Sequence, residues 1–299
     1  MSKRSFLLLC VTWLLTMRAS AQQPTRYTQY MNNLTLLNPA YSLVDNTGSL
    51  STLVRKQLVG INGAPATYAI NGNLPIESIN GAAGLIVQND EIAVEHQFQA
   101  NAYFAKAIQL SEVEFLGVSL NGGFKNYRAN YSQLDGNDPQ FRDDVRETRP
   151  NIGFGIIYFA KDYYVGLSAP ELTLRSLGAA SVQSGSNFRN HYYLSGAYLA
   201  TVGDDVQFKP AALVGITRGQ DALVNVSGTL YLKEMLGIGA NYSSNKQVAG
   251  ILSINTSTIK IGYSYQFNAS SGLSNSYSAA HEVTLSYRFG KQATNNRLL

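Results

Sequence analysis

The sequence predicts an all-β protein, a transmembrane antiparallel β-barrel of about 14 strands in a bacterial outer membrane. Three observations predict this fold. The chain opens with a segment typical of secretory signals, it continues without a long apolar helix, and much of the remainder alternates apolar and polar residues. Strands can cross a membrane only as a closed barrel, because every backbone hydrogen bond must be satisfied there without water.

The first 21 residues follow the order of parts found in a cleaved signal peptide. The basic pair Lys3-Arg4 precedes an apolar run over residues 5–17, and Ala19-Ser20-Ala21 supplies the small residues that a signal peptidase accepts. The apolar run is shorter than the roughly 20 residues that a membrane-spanning helix needs. We therefore expect cleavage before Gln22, which removes the single cysteine, Cys10, and leaves a mature chain without disulfides or thiolate ligands.

The composition of the mature chain excludes several classes of function. Of the 23 lysines and arginines, three belong to the signal peptide, so 20 basic residues remain against 19 acidic ones. A net charge this small gives no electrostatic basis for binding nucleic acid. Charged residues make up only 14% of the chain, which also holds 19 tyrosines and 26 glycines. Low charge with many aromatic residues is typical of a membrane barrel, whose aromatic side chains gather at the two interfaces.

Strands are predicted from alternation, because successive side chains of a strand point to opposite faces. The last predicted strand has an apolar face of Val283, Leu285, Tyr287 and Phe289 and a polar face of Glu282, Thr284, Ser286 and Arg288. The full set of predicted strands covers residues 49–57, 66–74, 81–89, 94–108, 113–125, 151–160, 162–168, 191–201, 206–217, 221–233, 235–243, 247–254, 258–268 and 281–290. A soluble sandwich also alternates, but its strands are usually shorter than the roughly ten residues that a tilted membrane strand requires.

The lengths of the connections agree with an even number of strands. Three long connections, at residues 126–150, 169–190 and 269–280, follow the fifth, seventh and thirteenth predicted strands, whereas those after the sixth, eighth, tenth and twelfth are short. Outer-membrane barrels have short periplasmic turns and longer external loops, so this parity predicts that both termini lie in the periplasm.

The domain organisation expected from these patterns has four parts. A signal peptide over residues 1–21 is followed by a polar N-terminal segment over residues 22–45, which lies in the periplasm or in the lumen. The barrel then spans residues 46–290, and a polar tail follows over residues 291–299.

No set of catalytic or metal-binding residues can be assembled from the sequence. The histidines are His96, His191 and His281, and serines are too common for any one to be assigned as a nucleophile beside a base. The stretch at residues 135–138 lacks the spacing and the terminal glutamate of an EF-hand loop. The tyrosine pairs at residues 163–164 and 192–193 fit an interface girdle better than a sugar-binding platform. We therefore expect no enzymatic activity, no cofactor and no bound metal.

Motifs of a known family occur in order along almost the whole mature chain. They begin with Tyr27-Thr28-Gln29-Tyr30-Met31 and Leu37-Asn38-Pro39-Ala40-Tyr41, and continue with Arg55, Gln57, Gly60, Gly63-Ala64-Pro65 and Thr67. Further motifs are Leu134-Asp135, Asn137-Asp138-Pro139, Phe141, Pro150-Asn151, Gly153, Gly155, residues 163–168, His191-Tyr192-Tyr193-Leu194, Gly196, residues 261–265 and residues 281–289. In order and spacing, this set resembles the PorP/SprF family of type IX secretion system outer-membrane proteins. Leu58 departs from the family pattern, which often has an aromatic residue there.

The resemblance implies a non-enzymatic barrel that works with the type IX secretion machinery. Some members of this family help to anchor periplasmic motor and ring components to the outer membrane. Others are paired with one secreted adhesin or cargo, which they help to export or to hold at the surface of gliding and related bacteria. The expected partners are therefore periplasmic ring or anchor proteins, or a secreted adhesin with a type IX signal domain, together with outer-membrane lipid. The candidate partner-binding residues are Tyr30, Asn38, Pro39, Tyr41, Arg55, Gln57, Asp135 and Asp138.

Two other functions remain open at this point. The first is a passive porin or small-solute channel, whose selectivity would be tuned by Arg55, Lys260, Glu282 and Arg288. The second is an outer-membrane lipase or protease, which is motivated only by the histidines and by the acidic pairs at residues 143–144 and 204–205.

Overall fold

The computed structural model describes residues 27–133, 144–173, 188–269 and 279–290. Fourteen strands run through these residues. They are β1 (Gly48–Gln57), β2 (Ala66–Ile76), β3 (Gly81–Ile92), β4 (Glu95–Gln109), β5 (Phe115–Ala129), β6 (Val145–Phe159), β7 (Tyr163–Thr173), β8 (His191–Tyr198 and, after a break at Leu199, Ala200–Gly203), β9 (Val206–Thr217), β10 (Leu223–Leu232), β11 (Leu236–Ser243), β12 (Gln247–Asn255), β13 (Ile259–Asn268) and β14 (Ala280–Phe289).

The strands close into a single antiparallel barrel. Each strand pairs with its neighbours in sequence, and β14 pairs with β1 from Gly48↔Phe289 to Gln57↔Ala280. Closure leaves no unpaired sheet edge, as a barrel in a membrane requires. The predicted fold class and the predicted strand number are confirmed.

Side chains alternate between the lumen and the outer surface, as the sequence pattern predicts. In β14, Glu282 and Thr284 are buried inside the barrel, whereas Val283, Leu285 and Tyr287 are each 46–48% exposed on the outside. Large apolar side chains stand on the outer face of the other strands in the same way. An outer surface of this kind suits contact with lipid. None of the described residues forms a helix long and apolar enough to cross a membrane.

The hairpin of β5 and β6 is longer than predicted. The sequence assigns residues 126–150 to a connection, yet β5 continues to Ala129 and β6 starts at Val145, with Tyr127 opposite Glu147. The prediction misses these strand ends because their residues are polar. A strand that extends beyond the apolar layer of the membrane can be polar on both faces, and it then shows no apolar–polar alternation. Likewise, β7 extends into the connection predicted at residues 169–190 and ends at Thr173.

The two ends of the barrel differ in their connections. At one end, here called the turn end, six connections of two to five residues join the strands, such as residues 204–205 and 110–114. The three longest connections, residues 130–144, 174–190 and 269–279, all lie at the opposite end, here called the loop end. Strand β1 begins, and strand β14 ends, at the turn end.

Residues 27–47 lie inside the barrel and are called the plug from here on. Their hydrogen bonds reach strands on all sides of the closed sheet, through wall residues Gln88 of β3, Ser168 of β7, Ser227 of β10 and Glu282 of β14. A segment that contacts every side of a closed barrel occupies its lumen. The plug runs from the loop-end half, beside Glu282, down to the turn end, where the side-chain amide of Asn73 donates to the carbonyl of Thr47.

Candidate functional site

The plug consists of short helical turns, and residues of the plug itself cap two of them. They are the 3-10 turns Tyr30–Asn32, Leu34–Leu36 and Pro39–Tyr41, followed by the helix Ser42–Asp45. Asn38 caps the third turn by accepting a hydrogen bond from the backbone N–H of Ala40, and Pro39 occupies the first helical position, where a missing N–H costs nothing. Asn46 ends the helix in the left-handed conformation, which asparagine tolerates better than most residues.

The part of the plug nearest the loop end is held by one carboxylate, that of Glu282. Both side-chain oxygens of Glu282 accept backbone N–H groups, from Gln29 at 2.7 Å and from Thr28 at 2.9 Å. The guanidinium of Arg55 lies 3.2 Å from Glu282 Oε2 and donates to Thr28 Oγ1 at 2.7 Å. Its second nitrogen donates to the amide oxygen of Gln266. We call Glu282, Arg55 and Gln266 the clamp.

The clamp is a buried, charged network. Arg55 is 3% exposed and Glu282 is fully buried. Buried charged groups are tolerated when they form an ion pair and when hydrogen bonds satisfy their remaining donors and acceptors. The backbone N–H groups of Thr28 and Gln29 supply hydrogen bonds to Glu282, and the hydroxyl of Thr28 accepts one from Arg55, whose Nε has no partner among the described residues. The ion pair of the wall is therefore hydrogen-bonded directly to the plug.

The lower part of the plug is held in a slot around Asn38. The side-chain amide of Asn38 donates to the carbonyl of Ile156 at 3.1 Å, and the hydroxyl of Ser168 donates to the carbonyl of Leu37 at 2.7 Å. Gly155 and Gly166 form the walls of the slot. A Cβ atom on Gly155 would overlap Asn38 Oδ1, and one on Gly166 would lie 2.8 Å from Asn38 Nδ2. Only glycine therefore fits at these two wall positions without movement of the plug.

Two more wall glycines allow the same close approach. A Cβ atom on Gly262 would overlap Gln29 Oε1, and one on Gly117 would lie 2.8 Å from a methyl carbon of Leu43. At four positions, therefore, glycine in the wall leaves the space that the plug occupies.

Apolar packing fills the space between these anchors. Tyr30, Leu34 and Val44 of the plug are at most 1% exposed and belong to one cluster with Leu53 and Ile157 of the wall. Full burial of a large apolar side chain contributes about 1.5–3 kcal/mol. The ring of Tyr41 also packs edge-on against that of Tyr164, with centroids 5.2 Å apart.

Burial also fixes the protonation of the plug's tyrosines. Burial raises the pKa of the Tyr27 hydroxyl well above its usual value, and the nearby Asp90 carboxylate adds to the effect. The neutral hydroxyl donates to Gln88 Oε1 at 2.6 Å. The uncharged form, which can donate, is therefore the form that the lumen favours.

The structure places the sequence-predicted site residues in two groups. Tyr30, Asn38, Pro39 and Tyr41 are buried in the plug, and Arg55 is buried in the clamp. They contact the barrel's own wall, so partner binding by these side chains stays a prediction that requires the plug to move.

The remaining predicted site residues lie at the loop end or beyond the described chain. Gln57 closes β1 at the loop end, where it is partly buried and its backbone N–H donates to the carbonyl of Pro65. Asp135 and Asp138 lie outside the described residues.

Sequence reasoning named Glu282 only as a selectivity residue of the porin alternative, and it did not single out Gly155, Gly166 or Gly262 as site residues. The available signal was their position in the alternation. Each of them stands on the polar face of a strand, where a glycine leaves a notch and a carboxylate needs a partner in the lumen. The motifs that carried the family resemblance meet at these points, because Thr28, Gln29, Arg55 and Glu282 form one anchor and Asn38, Gly155 and Ser168 the other.

The three histidines do not form one site, because each of them lies beside a different residue. His191 Nδ1 lies 2.8 Å from Thr217 Oγ1, His281 Nδ1 lies 2.9 Å from the hydroxyl of Tyr263, and His96 lies 3.9 Å from Glu91. Within the described ranges, no cluster of three metal-ligating side chains forms.

Comparison with known proteins identifies a family and a fold. The family described as "Type IX secretion system membrane protein PorP/SprF" matches residues 19–287. No curated protein matches the chain. The toluene transporter TodX of Pseudomonas putida is similar in structure with a TM-score of 0.50 and 10% identity, over 86% of this chain and 93% of that one. The outer membrane protein Omp33 of Acinetobacter baumannii gives a TM-score of 0.46 at 10% identity, over 82% of this chain and 100% of that one. At this identity the structural similarity concerns the fold alone.

Proposed function

We propose, on the premise that the chain belongs to the PorP/SprF family of type IX secretion system membrane proteins, that this outer-membrane barrel acts by binding protein partners and not by chemistry. The partners are periplasmic components of the secretion machinery, a secreted adhesin or cargo with a type IX signal domain, or both. Binding supports the export of the cargo or its attachment at the cell surface, and through such an adhesin it supports gliding motility.

The observation that carries this proposal is the filled lumen. The plug is hydrogen-bonded to strands around the barrel and buried among their apolar side chains. A barrel whose lumen is occupied in this way is suited to present rigid surfaces at its two ends. It is poorly suited to pass solutes freely, which counts against the porin alternative.

The two ends would serve different partners. In this proposal the turn end, where β1 begins and β14 ends, faces the periplasm and meets the secretion machinery. The loop end faces the exterior, and its long connections hold the cargo. The segment that precedes β1 runs down the lumen from the clamp and joins β1 at the turn end. The proposal divides the chain into a signal peptide over residues 1–21, an N-terminal segment over residues 22–45 that includes most of the plug, a barrel over residues 46–290 and a polar tail over residues 291–299.

The predicted site residues take a specific role in this proposal. Tyr30, Asn38, Pro39, Tyr41 and Arg55 fix the plug in the lumen and so keep both ends in one shape. They would support a partner without touching it. Direct contact with cargo falls to exposed residues of the loop end, for which Asp135 and Asp138 remain candidates.

A deletion strain tests the proposal. The strain should lose surface attachment or secretion of at least one type IX cargo, and the gene for the intact protein should restore it. A strain that secretes and attaches every type IX cargo at the normal level would overturn the proposal.

A further inference from the structure

The hairpin of β5 and β6 rises beyond the neighbouring strand β7 at the loop end. Both of its strands have 15 residues, and among the described residues β6 pairs with β7 only from Asn151↔Thr173 onward. Residues 145–150 of β6 therefore continue past the end of β7. At about 3.3 Å per residue, this projection measures roughly 20 Å along the strand. The outward face of the hairpin thus continues the lipid-facing surface of the barrel beyond the membrane.

Outward aromatic side chains mark the membrane interface at the loop end. Tyr68 of β2, Phe98 of β4, Phe124 of β5 and Phe267 of β13 all stand exposed near this end, and the ring centroids of Phe98 and Phe124 are 6.1 Å apart. Aromatic side chains of membrane barrels gather at the level of the lipid headgroups. Residues that follow Phe98 and Phe124 on the same outward face therefore meet the outer part of the headgroup layer.

A row of two arginines and one histidine crosses this face beyond the aromatic rings. His96 of β4 lies opposite Arg128 of β5, which in turn lies opposite Arg146 of β6, and all three side chains are exposed. Residues directly opposite each other in an antiparallel pair have Cβ atoms about 4.5–5.5 Å apart, and like charges at such positions repel each other. The two guanidinium groups are therefore close enough to bind one anion together.

The side chain of Arg128 is directed back toward the membrane. Its Nε donates to the side-chain oxygen of Asn126 at 3.1 Å, and Asn126 lies between Arg128 and Phe124 on the same face. Arg128 follows Phe124 by about 13 Å along the tilted strand, and a headgroup region is about 5–8 Å deep. A long side chain that bends toward the membrane spans the difference.

The neighbouring carboxylates leave an excess of positive charge on this face. Among the described residues, no carboxylate lies within 4 Å of the guanidinium of Arg128 or Arg146. Asp144 interacts electrostatically with Arg146, but its Oδ1 accepts the N–H and the hydroxyl of Ser132. Two arginines thus face one carboxylate that is not ion-paired with either of them.

We propose that Arg128 and Arg146, with His96 beside them, bind a phosphate group of lipid A, the phosphorylated glycolipid of the outer leaflet. A guanidinium can donate two parallel hydrogen bonds to one phosphate, a geometry that lysine lacks. The bound phosphate offsets the repulsion between the two arginines and ties the projecting hairpin to the membrane surface. The inference rests on the proposed function in one respect, namely that the loop end faces the exterior.

The test is lipid binding to the purified full-length mature protein in a neutral detergent, measured by native mass spectrometry. Diphosphorylated lipid A should bind at a concentration at least tenfold lower than lipid A from which both phosphates have been removed. Phosphatidylglycerol should bind several-fold more weakly than diphosphorylated lipid A, because its phosphate diester carries a single charge whereas a phosphate monoester carries about −1.5 to −2. Equal binding of lipid A with and without its phosphates, or of lipid A and phosphatidylglycerol, would overturn the proposal.

Variants of the two arginines assign the binding to this face. The double variant Arg128→Gln with Arg146→Gln should bind diphosphorylated lipid A at least tenfold more weakly. Without lipid it should unfold at the temperature of the parent or slightly above it, because a like-charge pair has been removed. Arg218→Gln, at an exposed position in another loop-end connection, is the matched control and should bind lipid A like the parent. Unchanged binding of lipid A by the double variant would contradict the assignment.

A pull-down of the same double variant separates this site from the binding of protein partners. If the variant binds lipid A normally and loses a secreted protein that co-purifies with the parent, the row binds protein, and the lipid assignment is wrong while the proposed function stands. If the variant loses lipid A and keeps its protein partners, the lipid assignment holds independently of them. A deletion strain with normal secretion would overturn the proposed function and leave the measured lipid binding unchanged.

Discussion

The carboxylate of Glu282, in the last strand, accepts the backbone N–H of Gln29, in the plug, at 2.7 Å across a separation of 253 positions in the sequence. The same carboxylate pairs with Arg55 of the first strand. One residue therefore connects the two strands that close the barrel to the segment that fills it. Closure of the barrel and insertion of the plug are consequently coupled.

Replacement of Glu282 by glutamine should destabilise the folded barrel by about 3 kcal/mol or more, because it leaves the buried guanidinium of Arg55 without its counter-charge. The measurement is the shift between folded and unfolded forms of the purified protein in a urea series. Glu112→Gln, at an exposed position in a turn-end connection, is the matched control and should unfold like the parent. If both variants unfold at the same urea concentration, the clamp has no energetic role.

Replacement of Gly155 by alanine should destabilise the protein by about 1–3 kcal/mol, because the added methyl group overlaps Asn38 in the slot. Gly122→Ala is the matched control. Gly122 lies on the neighbouring strand, and a methyl group added there would have no other atom within 4 Å, so this change should be neutral or slightly stabilising. Limited proteolysis of the plug and thermal unfolding both report the difference. Equal behaviour of the two variants would contradict the slot.

A cysteine pair should lock the plug in place. A Cβ atom at Gly155 would lie 3.1 Å from the Cγ atom of Asn38, so Asn38→Cys together with Gly155→Cys brings two Cβ atoms within the range of a disulfide. The only native cysteine, Cys10, belongs to the expected signal peptide, so no other thiol competes.

Planar-bilayer recordings of this double variant test whether the plug closes the lumen. The oxidised protein should show no steady conductance, and reduction, which leaves a weakened slot, should produce open-channel events. Each single variant serves as a control for the redox conditions. A large steady conductance of the oxidised protein would show that solutes pass the plug and would favour the porin function.

The barrel could be predicted from sequence because its alternation repeats in nearly every strand. In β14 the exposed Val283, Leu285 and Tyr287 and the buried Glu282 and Arg288 occupy the faces that the pattern assigns them. The hairpin of β5 and β6 lacks this alternation where it is polar on both faces. The prediction therefore stops short of the observed strand ends, Ala129 in β5 and Val145 in β6.

The arrangement of the plug could not be predicted in the same way. Asn38 and Pro39 start a 3-10 turn in the structure, but three-residue helical turns carry no periodicity in the sequence that would reveal their packing. Their position depends on contacts with residues more than a hundred positions away, such as Ile156 for Asn38 and Ser168 for Leu37. A single sequence contains both partners of each contact without indicating that they meet.

The most direct test of partner binding is a gentle detergent pull-down of the tagged protein from its native outer membrane, with identification of the co-purifying proteins by mass spectrometry. We predict that type IX ring or anchor components, or one secreted protein with a type IX signal domain, co-purify with the parent and with the neutral variant Gly122→Ala, and are depleted with Glu282→Gln. A barrel that emerges alone from several detergents, although it is folded, would contradict the docking function and would direct attention to conductance.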